Sequence, residues 1–374
     1  MRIVIAPDKF GGTLTAAEAA AAMAAGWRAV RPTDQLVLSP QADGGEGTVE
    51  TLAAALGLTP RIARVRDPLG RPVDAAWLLL ADGTAVVETA TASGLARLDL
   101  GERDPRVTTT AGIGDLIRAA LDADADQLVL GLGGSATNDG GAGCLAALGA
   151  RIVDARGIEL APGGAALVDA ARLDLTGLDP RLHDASVVLA SDVDNPLLGP
   201  AGATAVYGPQ KGAGPAVVAE LEAAMSQWAA LLSEHAPGVA DRPGAGAAGG
   251  LGAGLLAATA AALRPGFDVV AELLGLAAEL ATADLVVTGE GRFDEQSLRG
   301  KAPAGVARLA QAAGIPCFVI AGEVAVGRRE LAAAGFDGAY AVVDDAPDES
   351  TARADAARWL AVTTNRVARQ WSDT

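Results

Sequence analysis

The sequence predicts an α/β protein in which a doubly wound parallel sheet is interrupted by a second, mixed domain. At both ends of the chain, strand, glycine-rich loop and helix follow one another closely, which favours a parallel sheet with helices on its faces. The middle of the chain instead carries short runs typical of antiparallel strands. We therefore expect residues 1–65 and 283–374 to form one discontinuous domain, and residues 66–282 to form a mixed α/β domain inserted into it.

The terminal segments supply a regular alternation of elements. The first helix has a clear start, because Thr15 followed three residues later by Glu18 is a capping box. The predicted strands of this domain are 2–6, 35–39, 283–288, 315–320 and 338–343. Its predicted helices are 15–30, 48–56, 303–313, 327–334 and 350–371. In such folds ligands bind at the carboxyl ends of the strands.

The middle segment is less regular. Asp82 and Gly83 separate two strand-like runs and predict a hairpin. The predicted strands are 61–66, 73–81, 84–90, 128–130 and 186–190, with a short hairpin and irregular connections over 151–182. The predicted helices are 110–123, 214–235, 251–263 and 268–281. The stretch 243–254 is typical of a flexible linker, but it leads straight into a predicted helix, so a second ligand-facing loop is an equal alternative.

The chain is organised around residues 128–143, an apolar run that breaks into glycines and then enters a helical pattern. Strand, glycine-rich turn and helix is an arrangement in which backbone N–H groups face an anion. Ser135, Thr137, Asn138 and Asp139 stand between the glycines. The stretch is neither a Walker A loop nor a G-x-G-x-x-G motif. The alternative is a tight turn whose glycines serve only backbone geometry.

Composition excludes several classes of function. The formal net charge of −17 and an aromatic content of 3% argue against nucleic-acid binding, which needs a basic face and stacking rings. No apolar run is long enough for a membrane span, and the N-terminus is not a signal peptide. The two cysteines, Cys144 and Cys317, stand in apolar surroundings and are expected to be buried thiols, which fits a reducing cytoplasm.

Lysine is rare in this sequence. Only three of the 29 basic residues are lysines, namely Lys9, Lys211 and Lys301, and each stands near glycines. Because arginine is used almost everywhere else, these positions suggest a need for a compact point charge. Chance is the competing explanation for so small a sample.

Acidic residues follow four of the predicted strands. They are Asp8, Asp43 with Glu46, Asp192 with Asp194, and Glu290 with Asp294. Oxygen ligands contributed singly from loops suit Mg²⁺, which is usually held jointly by protein and phosphates. Asp192 and Asp194 lie two residues apart on an extended segment, and we take Asp192 as the functional one.

Segment 284–301 carries the second strongest signal, because acidic, basic and hydroxyl groups crowd one predicted strand-to-helix turn. Arg292, Asp294 and Lys301 there suggest an anion and metal site, whereas Glu295 and Arg299 are expected to form a salt-bridged loop. The two histidines, His183 and His235, have neither glycine nor acidic neighbours.

The sequence therefore does not provide the histidines that a catalytic triad, a zinc site or a histidine phosphocarrier requires. Phosphoryl transfer fits the remaining inventory, because it depends on positioning and charge neutralisation. A dinucleotide-dependent oxidoreductase and a non-catalytic organic-acid-binding protein are the alternatives.

Seven motifs, in order along nearly the whole chain, resemble those of the bacterial glycerate kinase family, the type without a Walker A loop. They lie at 6–10, 42–48, 88–95, 131–143, 191–197, 208–213 and 288–294. The resemblance implies ATP-dependent phosphorylation of D-glycerate with Mg²⁺. It also implies a flavodoxin-like domain, a restriction-endonuclease-like domain and an active site in the cleft between them. Members often carry a lysine where this chain has Gly11, so either Lys9 takes over that charge or substrate affinity differs.

From this resemblance we assign roles as hypotheses. Asp192 accepts the proton of the glycerate hydroxyl, and the metal ligands are Glu290, Asp294 and Asp192. The other catalytic residues are Lys9, Lys211, Asp43 and Asp294, and the substrate-binding residues are Asp8, Lys9 and Arg292. Lys9, Lys211 and Lys301 are expected to neutralise phosphate and the glycerate carboxylate. Nucleotide is expected to bind Gly133, Gly134, Ser135, Thr137, Asn138, Gly246, Gly249, Gly250 and Lys301. The expected product is 2-phosphoglycerate, with 3-phosphoglycerate as the alternative, in a cytoplasmic enzyme for which a homodimer is left open.

Overall fold

The structure is a computed structural model that describes residues 1–298 and 300–372. The chain folds into two compact units. The first unit comprises Met1–Asp43, Glu50–Leu58 and Phe267–Thr374, and the second comprises Gly44–Val49 and Thr59–Gly266. The long segment of the second unit begins at Thr59 and ends at Gly266, whereas the inserted domain was expected to span 66–282. The reason is that strand Arg61–Arg66 pairs with the next strand of the second unit, whereas helix Leu276–Leu280 packs on helix Ala302–Ala313 of the first.

The strands of the described residues number thirteen and are labelled in chain order. They are β1 (Arg2–Ile5), β2 (Gln35–Leu38), β3 (Arg61–Arg66), β4 (Pro72–Leu79), β5 (Thr84–Glu88), β6 (Gln127–Gly131), β7 (Arg151–Val153), β8 (Arg172–Asp174), β9 (Ser186–Ala190), β10 (Ala262–Arg264), β11 (Leu285–Phe293), β12 (Cys317–Val324) and β13 (Gly338–Ala341).

The α-helices of the same residues number fourteen, and short 3₁₀ turns lie between several of them. They are α1 (Ala16–Arg28), α2 (Thr48–Leu56), α3 (Thr89–Ser93), α4 (Ala111–Leu121), α5 (Ala142–Ala147), α6 (Ala203–Tyr207), α7 (Pro215–His235), α8 (Ala247–Ala258), α9 (Gly266–Leu273), α10 (Leu276–Leu280), α11 (Ala302–Ala313), α12 (Arg328–Ala333), α13 (Glu349–Ala354) and α14 (Ala356–Ser372).

The first unit is built on a five-stranded sheet in the order β13-β12-β11-β1-β2, with every pair parallel. Successive residues of β1 enter different cores, because side chains along a strand point in turn to opposite faces of the sheet. Ile3 and Ile5 pack with Met23 and Trp27 of α1. Val4, between them, enters the core on the other face, with residues of α9, α10 and α11. Helices therefore cover both faces, as the expected doubly wound arrangement requires.

The second unit contains a six-stranded mixed sheet in the order β10-β9-β6-β5-β4-β3. Its β10, β9, β6 and β5 are parallel to one another, whereas β4 and β3 are antiparallel to their neighbours. A separate antiparallel pair, β7 and β8, lies within the segment expected to be a hairpin with irregular connections. The expected α/β class, with one parallel and one mixed sheet, is confirmed at this level.

Several local expectations are confirmed and others are wrong. Thr15 and Glu18 form the capping box of α1. The helix expected over 268–281 is broken at Gly275 into α9 and α10, and the strand expected over 84–90 ends at Glu88, immediately before α3.

The helix expected over 251–263 ends at Ala258 and is followed by β10. The pairing of β10 with β9 is not indicated by the local sequence pattern. The turn expected from residue 288 onward is instead the continuation of β11 to Phe293, paired with β12. The closing helix is interrupted at Asp355, which separates α13 from α14.

Among the helices of the described residues, none combines the length and the apolar character that crossing a bilayer demands.

Candidate functional site

The first unit contains a cavity of about 330 Å³ at the carboxyl ends of its central strands. The strand order reverses between β1 and β11, and crevices at such a switch point are the usual ligand sites of open α/β sheets. Asp8 follows β1, Asp43 follows β2 and Glu290 lies near the end of β11, and all three line the cavity. Of the four acidic groups that follow predicted strands, three thus contribute to this cavity, whereas Asp192 and Asp194 belong to the second unit.

Backbone pairing places the first of these carboxylates. The N–H of Asp8 donates to the Gly289 carbonyl at 2.8 Å, which continues the β1–β11 ladder past the end of β1. The Asp8 side chain is buried and accepts a hydrogen bond of 2.6 Å from the N–H of Lys9. Burial, reinforced by the charge of Asp43, raises the pKa of Asp8 to about 7.

Glu290 is the second buried carboxylate, with 6% of its surface exposed. Its Oε1 is buried and has no hydrogen-bond partner among the described residues. Burial raises the pKa of Glu290 to about 7, against the opposing effects of the Ser297 hydroxyl and the Lys301 charge. A buried acceptor without a partner calls for an explanation, and a cation or a hydroxyl donor would satisfy it.

Basic residues line the same cavity. Lys9 follows Asp8, Arg292 lies on β11, and Lys301 is the N-cap of α11. The Arg292 side chain is 63% exposed and lies 3.7 Å from a carboxylate oxygen of Asp294 and 3.7 Å from one of Glu323. Such loose, exposed pairs leave the guanidinium able to reorient toward an anionic ligand.

Asp294 lies outside this lining and its carboxylate is engaged in its own turn. Its Oδ1 accepts a hydrogen bond of 2.9 Å from the N–H of Gln296. Across residues 1–298 and 300–372, no three His, Cys, Asp or Glu side chains are arranged to hold a metal ion. The donor chemistry of Glu290 nevertheless fits Mg²⁺, which keeps several waters and needs only one or two carboxylates when phosphates complete the site.

The cavity also has an apolar side that the sequence analysis did not anticipate. Phe10, Val342, Ala352 and Leu360 are buried and line it. Because 342–360 lies at the far end of the sequence, only the packing of α13 and α14 on the sheet brings these side chains to the cavity.

The second unit carries the glycine-rich loop that follows β6. Gly133 and Gly134 reach the surface, whereas residues 135–140 are buried. The loop pairs with the segment 93–95: the Leu95 N–H donates to the Gly134 carbonyl at 2.9 Å, and the Ala136 N–H donates to the Ser93 carbonyl at 2.8 Å. Gly134 has a φ of +72°, which glycine adopts without strain.

Lys211 lies in the interior of this unit, 2% exposed, on a 3₁₀ turn over Pro209–Lys211. Its Nζ donates to Ser135 Oγ at 2.8 Å and to the Thr137 carbonyl at 2.6 Å. Burial lowers the pKa of Lys211 to about 7, against the opposing charge of Asp139. The sequence analysis assigned Lys211 to direct charge neutralisation and did not connect it with this loop, which it contacts in the structure.

The second glycine segment packs against this loop. The Gly140 N–H donates to the Gly249 carbonyl at 3.0 Å. A Cβ on Gly249 would lie 1.9 Å from the Thr137 carbonyl oxygen, and one on Gly246 would lie 2.3 Å from the Pro196 carbonyl oxygen. Gly246, Gly249 and Gly250 are all buried. Close backbone packing within the unit thus explains these glycines, and the flexible-linker alternative for 243–254 is wrong.

Asp192 follows β9 in the second unit and its side chain is exposed. Its Oδ1 accepts a hydrogen bond of 2.7 Å from the N–H of Gly266, the first residue of α9. At least one carboxylate oxygen of Asp192, the expected general base, therefore accepts a hydrogen bond from the first residue of α9.

Two buried carboxylates of the second unit were absent from the expected site residues. Glu88 accepts from the N–H groups of Gly47 at 2.9 Å and Val49 at 3.1 Å. Asp139 is fully buried and accepts from the Thr110 N–H at 2.8 Å and the Gly141 N–H at 3.1 Å. Both occupy motifs that the sequence analysis noted, and their role is to hold the loops at the carboxyl ends of β5 and β6.

Comparison with known proteins identifies the family. Residues 3–372 match the model of the glycerate kinase family. The chain is 45% identical to a glycerate kinase of Bacillus subtilis over 98% of this chain and 97% of the relative. It is 45% identical to a glycerate 2-kinase of Escherichia coli, over 92% and 91% of the two chains.

A solved structure agrees with these sequence matches. A Salmonella typhimurium LT2 chain, assigned provisionally as glycerate kinase 2, superposes with a TM-score of 0.89 at 43% identity and covers 100% of this chain and 98% of that one. The family expectation is confirmed, and the oxidoreductase alternative finds no support in these matches. Because the family model and these relatives match nearly its entire length, this chain belongs to the glycerate kinase family.

Proposed function

We propose that this protein transfers the γ-phosphoryl group of ATP to the 2-hydroxyl of D-glycerate. Family membership supports the kinase reaction and its acceptor. The name of the Escherichia coli relative, a glycerate 2-kinase, supports 2-phosphoglycerate as the product. The observation that carries the proposal in this chain is the cavity of the first unit, where carboxylates and lysines meet at the strand switch point.

We place glycerate at the polar side of that cavity. Lys9 and Arg292 supply positive charge for its carboxylate, and Arg292 suits a bidentate pair with it. Asp8 accepts a hydrogen bond from a glycerate hydroxyl. With a pKa of about 7, this carboxyl is able to exchange a proton at neutral pH. Lys301 and Asp43, on the same lining, are proposed to face the transferred phosphoryl group.

Magnesium is proposed to bind Glu290, whose buried Oε1 offers the unfilled acceptor. That Asp294 and Asp192 are further ligands stays a prediction from the sequence, because the described residues contain no arranged set of three such ligands. When bound, Mg²⁺ supplies charge neutralisation on the phosphate oxygens. The chain's own part is to present oxygen ligands and to keep water from the buried floor of the cavity.

Nucleotide is proposed to bind the loop of the second unit through Gly133, Gly134, Ser135, Thr137 and Asn138. Gly246, Gly249 and Gly250 support this loop through the packing described above. The sequence-based role of Lys211, direct neutralisation of phosphate, is revised below.

Asp192 is proposed as the general base that accepts the hydroxyl proton. Its place at the carboxyl end of β9 and its exposure support the assignment. Asp194, two residues on, is also exposed and provides a matched control. Asp192→Asn is expected to lower kcat by about 10²- to 10⁴-fold, with Asp194→Asn close to wild type. Wild-type turnover in Asp192→Asn would remove the assignment.

The finer description of the fold is also a proposal. Counted within the first unit alone, the strand order is 2-1-3-4-5, which supports a flavodoxin-like fold. The restriction-endonuclease-like description of the second unit stays a prediction. Cytoplasmic localisation is proposed from the two cysteines, which are buried free thiols.

The central experiment is a coupled ADP-release assay with ATP and Mg²⁺ across D-glycerate, related hydroxy acids and simple sugars. We expect turnover with D-glycerate and a product that NMR identifies as the 2-phosphate. Melting shifts with glycerate but no ADP formation would favour the organic-acid-binding alternative instead.

A further inference from the structure

A buried lysine with neutral partners is an unusual feature of the second unit. Within the described part of the chain no salt bridge involves Lys211, and its Nζ donates instead to the Ser135 hydroxyl and the Thr137 carbonyl. Burying an ammonium group away from a carboxylate is costly. Here the buried ammonium group makes its hydrogen bonds to two residues of the glycine-rich loop, Ser135 and Thr137.

The hydrogen bond from Lys211 fixes the direction of the Ser135 hydroxyl. In its protonated form the Lys211 ammonium group only donates, and Ser135 Oγ then acts as the acceptor. The hydroxyl hydrogen is then turned away from Lys211, and the described residues give it no acceptor. Ser135 thus offers one unused donor beside the exposed Gly134.

The backbone of the same loop offers further donors. Among the described residues, no acceptor is present for the N–H groups of Gly133, Gly134 and Ser135. Successive N–H groups around a residue with positive φ form a concave anion site, and Gly134 supplies that φ. Thr137 Oγ1 is also fully buried, and the part of the chain that the structure describes provides no hydrogen-bond partner for it. The loop therefore has unused hydrogen-bonding capacity in its buried and its exposed parts.

We propose that Lys211 is a positioning residue that does not touch nucleotide: it holds the loop so that the Ser135 hydroxyl and the N–H groups of Gly133 and Gly134 donate to nucleotide phosphate oxygens. This rests on the proposed function for the identity of the anion. The lysine acts through Ser135 and Thr137, and its charge polarises both groups.

A double-mutant cycle tests the proposal. The variants are Lys211→Met, Ser135→Ala, the combination of the two, and Ser226→Ala as a matched loss of a serine hydroxyl on the exposed face of α7. Each is assayed for ADP binding by calorimetry and for KM toward ATP and toward glycerate. Urea unfolding monitors the fold of each variant.

Ser135→Ala is expected to weaken ADP binding and raise the KM for ATP about tenfold, with the KM for glycerate unchanged. Lys211→Met is expected to lose more, about a hundredfold. Because the lysine acts through the serine, the double variant should lose no more than about twofold beyond Lys211→Met. Ser226→Ala should match wild type.

Losses that multiply in the double variant would overturn the proposal, since they would mean that Lys211 contacts the ligand by itself. Unchanged ADP affinity in Ser135→Ala would also overturn it, and this variant carries the test alone if Lys211→Met does not fold. ADP binding separates the two proposals, because it is measured without glycerate. Failure to phosphorylate glycerate refutes the proposed function only, whereas kinase activity with unchanged ADP affinity in the variants refutes this inference only.

Discussion

Replacing Asp8 by asparagine should stabilise the protein above neutral pH while abolishing most of its activity. Burial and the charge of Asp43 raise the pKa of Asp8 from 3.8 to about 7 in the folded chain. Between these values the folded state binds more protons than the unfolded state. The free energy of unfolding therefore falls as pH rises from about 4 to about 7, and it stays reduced above that range.

The magnitude follows from the shift. About three pKa units correspond to about 4 kcal/mol as an upper limit. Since Asp43 and Glu290 also contribute charge to the same cavity, we expect about 2 kcal/mol of stabilisation in Asp8→Asn near pH 8. Near pH 3, which is below both pKa values, Asp8 is protonated in both states for the most part, so the gain should nearly vanish. This is the usual exchange of stability for an active-site charge.

Urea unfolding at about pH 5 and about pH 8, with ADP release measured in parallel, provides the assay. Asp34→Asn is the control of opposite sign. Although burial opposes it, hydrogen bonds from Arg31, from the Trp27 indole and from the N-terminus lower the pKa of Asp34 to about 2. That variant should lose about 1–2 kcal/mol near neutral pH. An Asp8→Asn protein no more stable than wild type at pH 8, or equally stabilised at both pH values, would refute the reasoning.

Three further predictions follow from the same structure. Gly249→Ala should cost at least about 3 kcal/mol by urea unfolding, because φ is +67° and the new Cβ would lie 1.9 Å from a carbonyl oxygen; Gly101→Ala, with nothing within 4 Å, should stay within about 0.5 kcal/mol. The pKa of Lys211 is lowered from 10.5 to about 7, so the unfolded state binds more protons between these values and stability should rise with pH in that window; Lys211→Met should flatten this rise in pH-dependent unfolding curves. Removing divalent cations with a chelator should abolish ADP release, and Glu290→Gln should require at least about tenfold more Mg²⁺ for half-maximal rate; an unchanged Mg²⁺ requirement in Glu290→Gln would dismiss that ligand.

Much of the fold was predictable because its signals are local. The Thr15 capping box and the Asp82-Gly83 hairpin each depend on a few neighbouring residues. By contrast, β10 exists only because β9 is there to pair with it, and β11 is extended past residue 288 by the neighbouring β12. Pairing between distant segments is not encoded in the pattern of either segment alone.

The candidate site was predictable to a similar extent. The acidic residues after β1 and β2 and within β11 were identified from the sequence, and the structure places Asp8, Asp43 and Glu290 on the lining of one cavity. The sequence could not indicate that Gly249 and Gly250 serve packing while Gly133 and Gly134 face solvent, because both sets share one composition. It also could not place Ala352 and Leu360 at the cavity, since they lie at the other end of the chain from Asp8.

By itself the sequence determined the α/β class, the order of the elements, the rare lysines and the motifs that place the chain in its family. These depend on side-chain chemistry and on neighbours a few residues apart. Tertiary structure alone decided which carboxylates are buried together. Burial raises the pKa values of Asp8 and Glu290 to about 7. The Asp294 carboxylate instead accepts a hydrogen bond within its own turn. Tertiary structure also turned Lys211 inward. Burial and proximity set ionisation and hydrogen-bond direction, and both arise only when distant parts of the chain pack together.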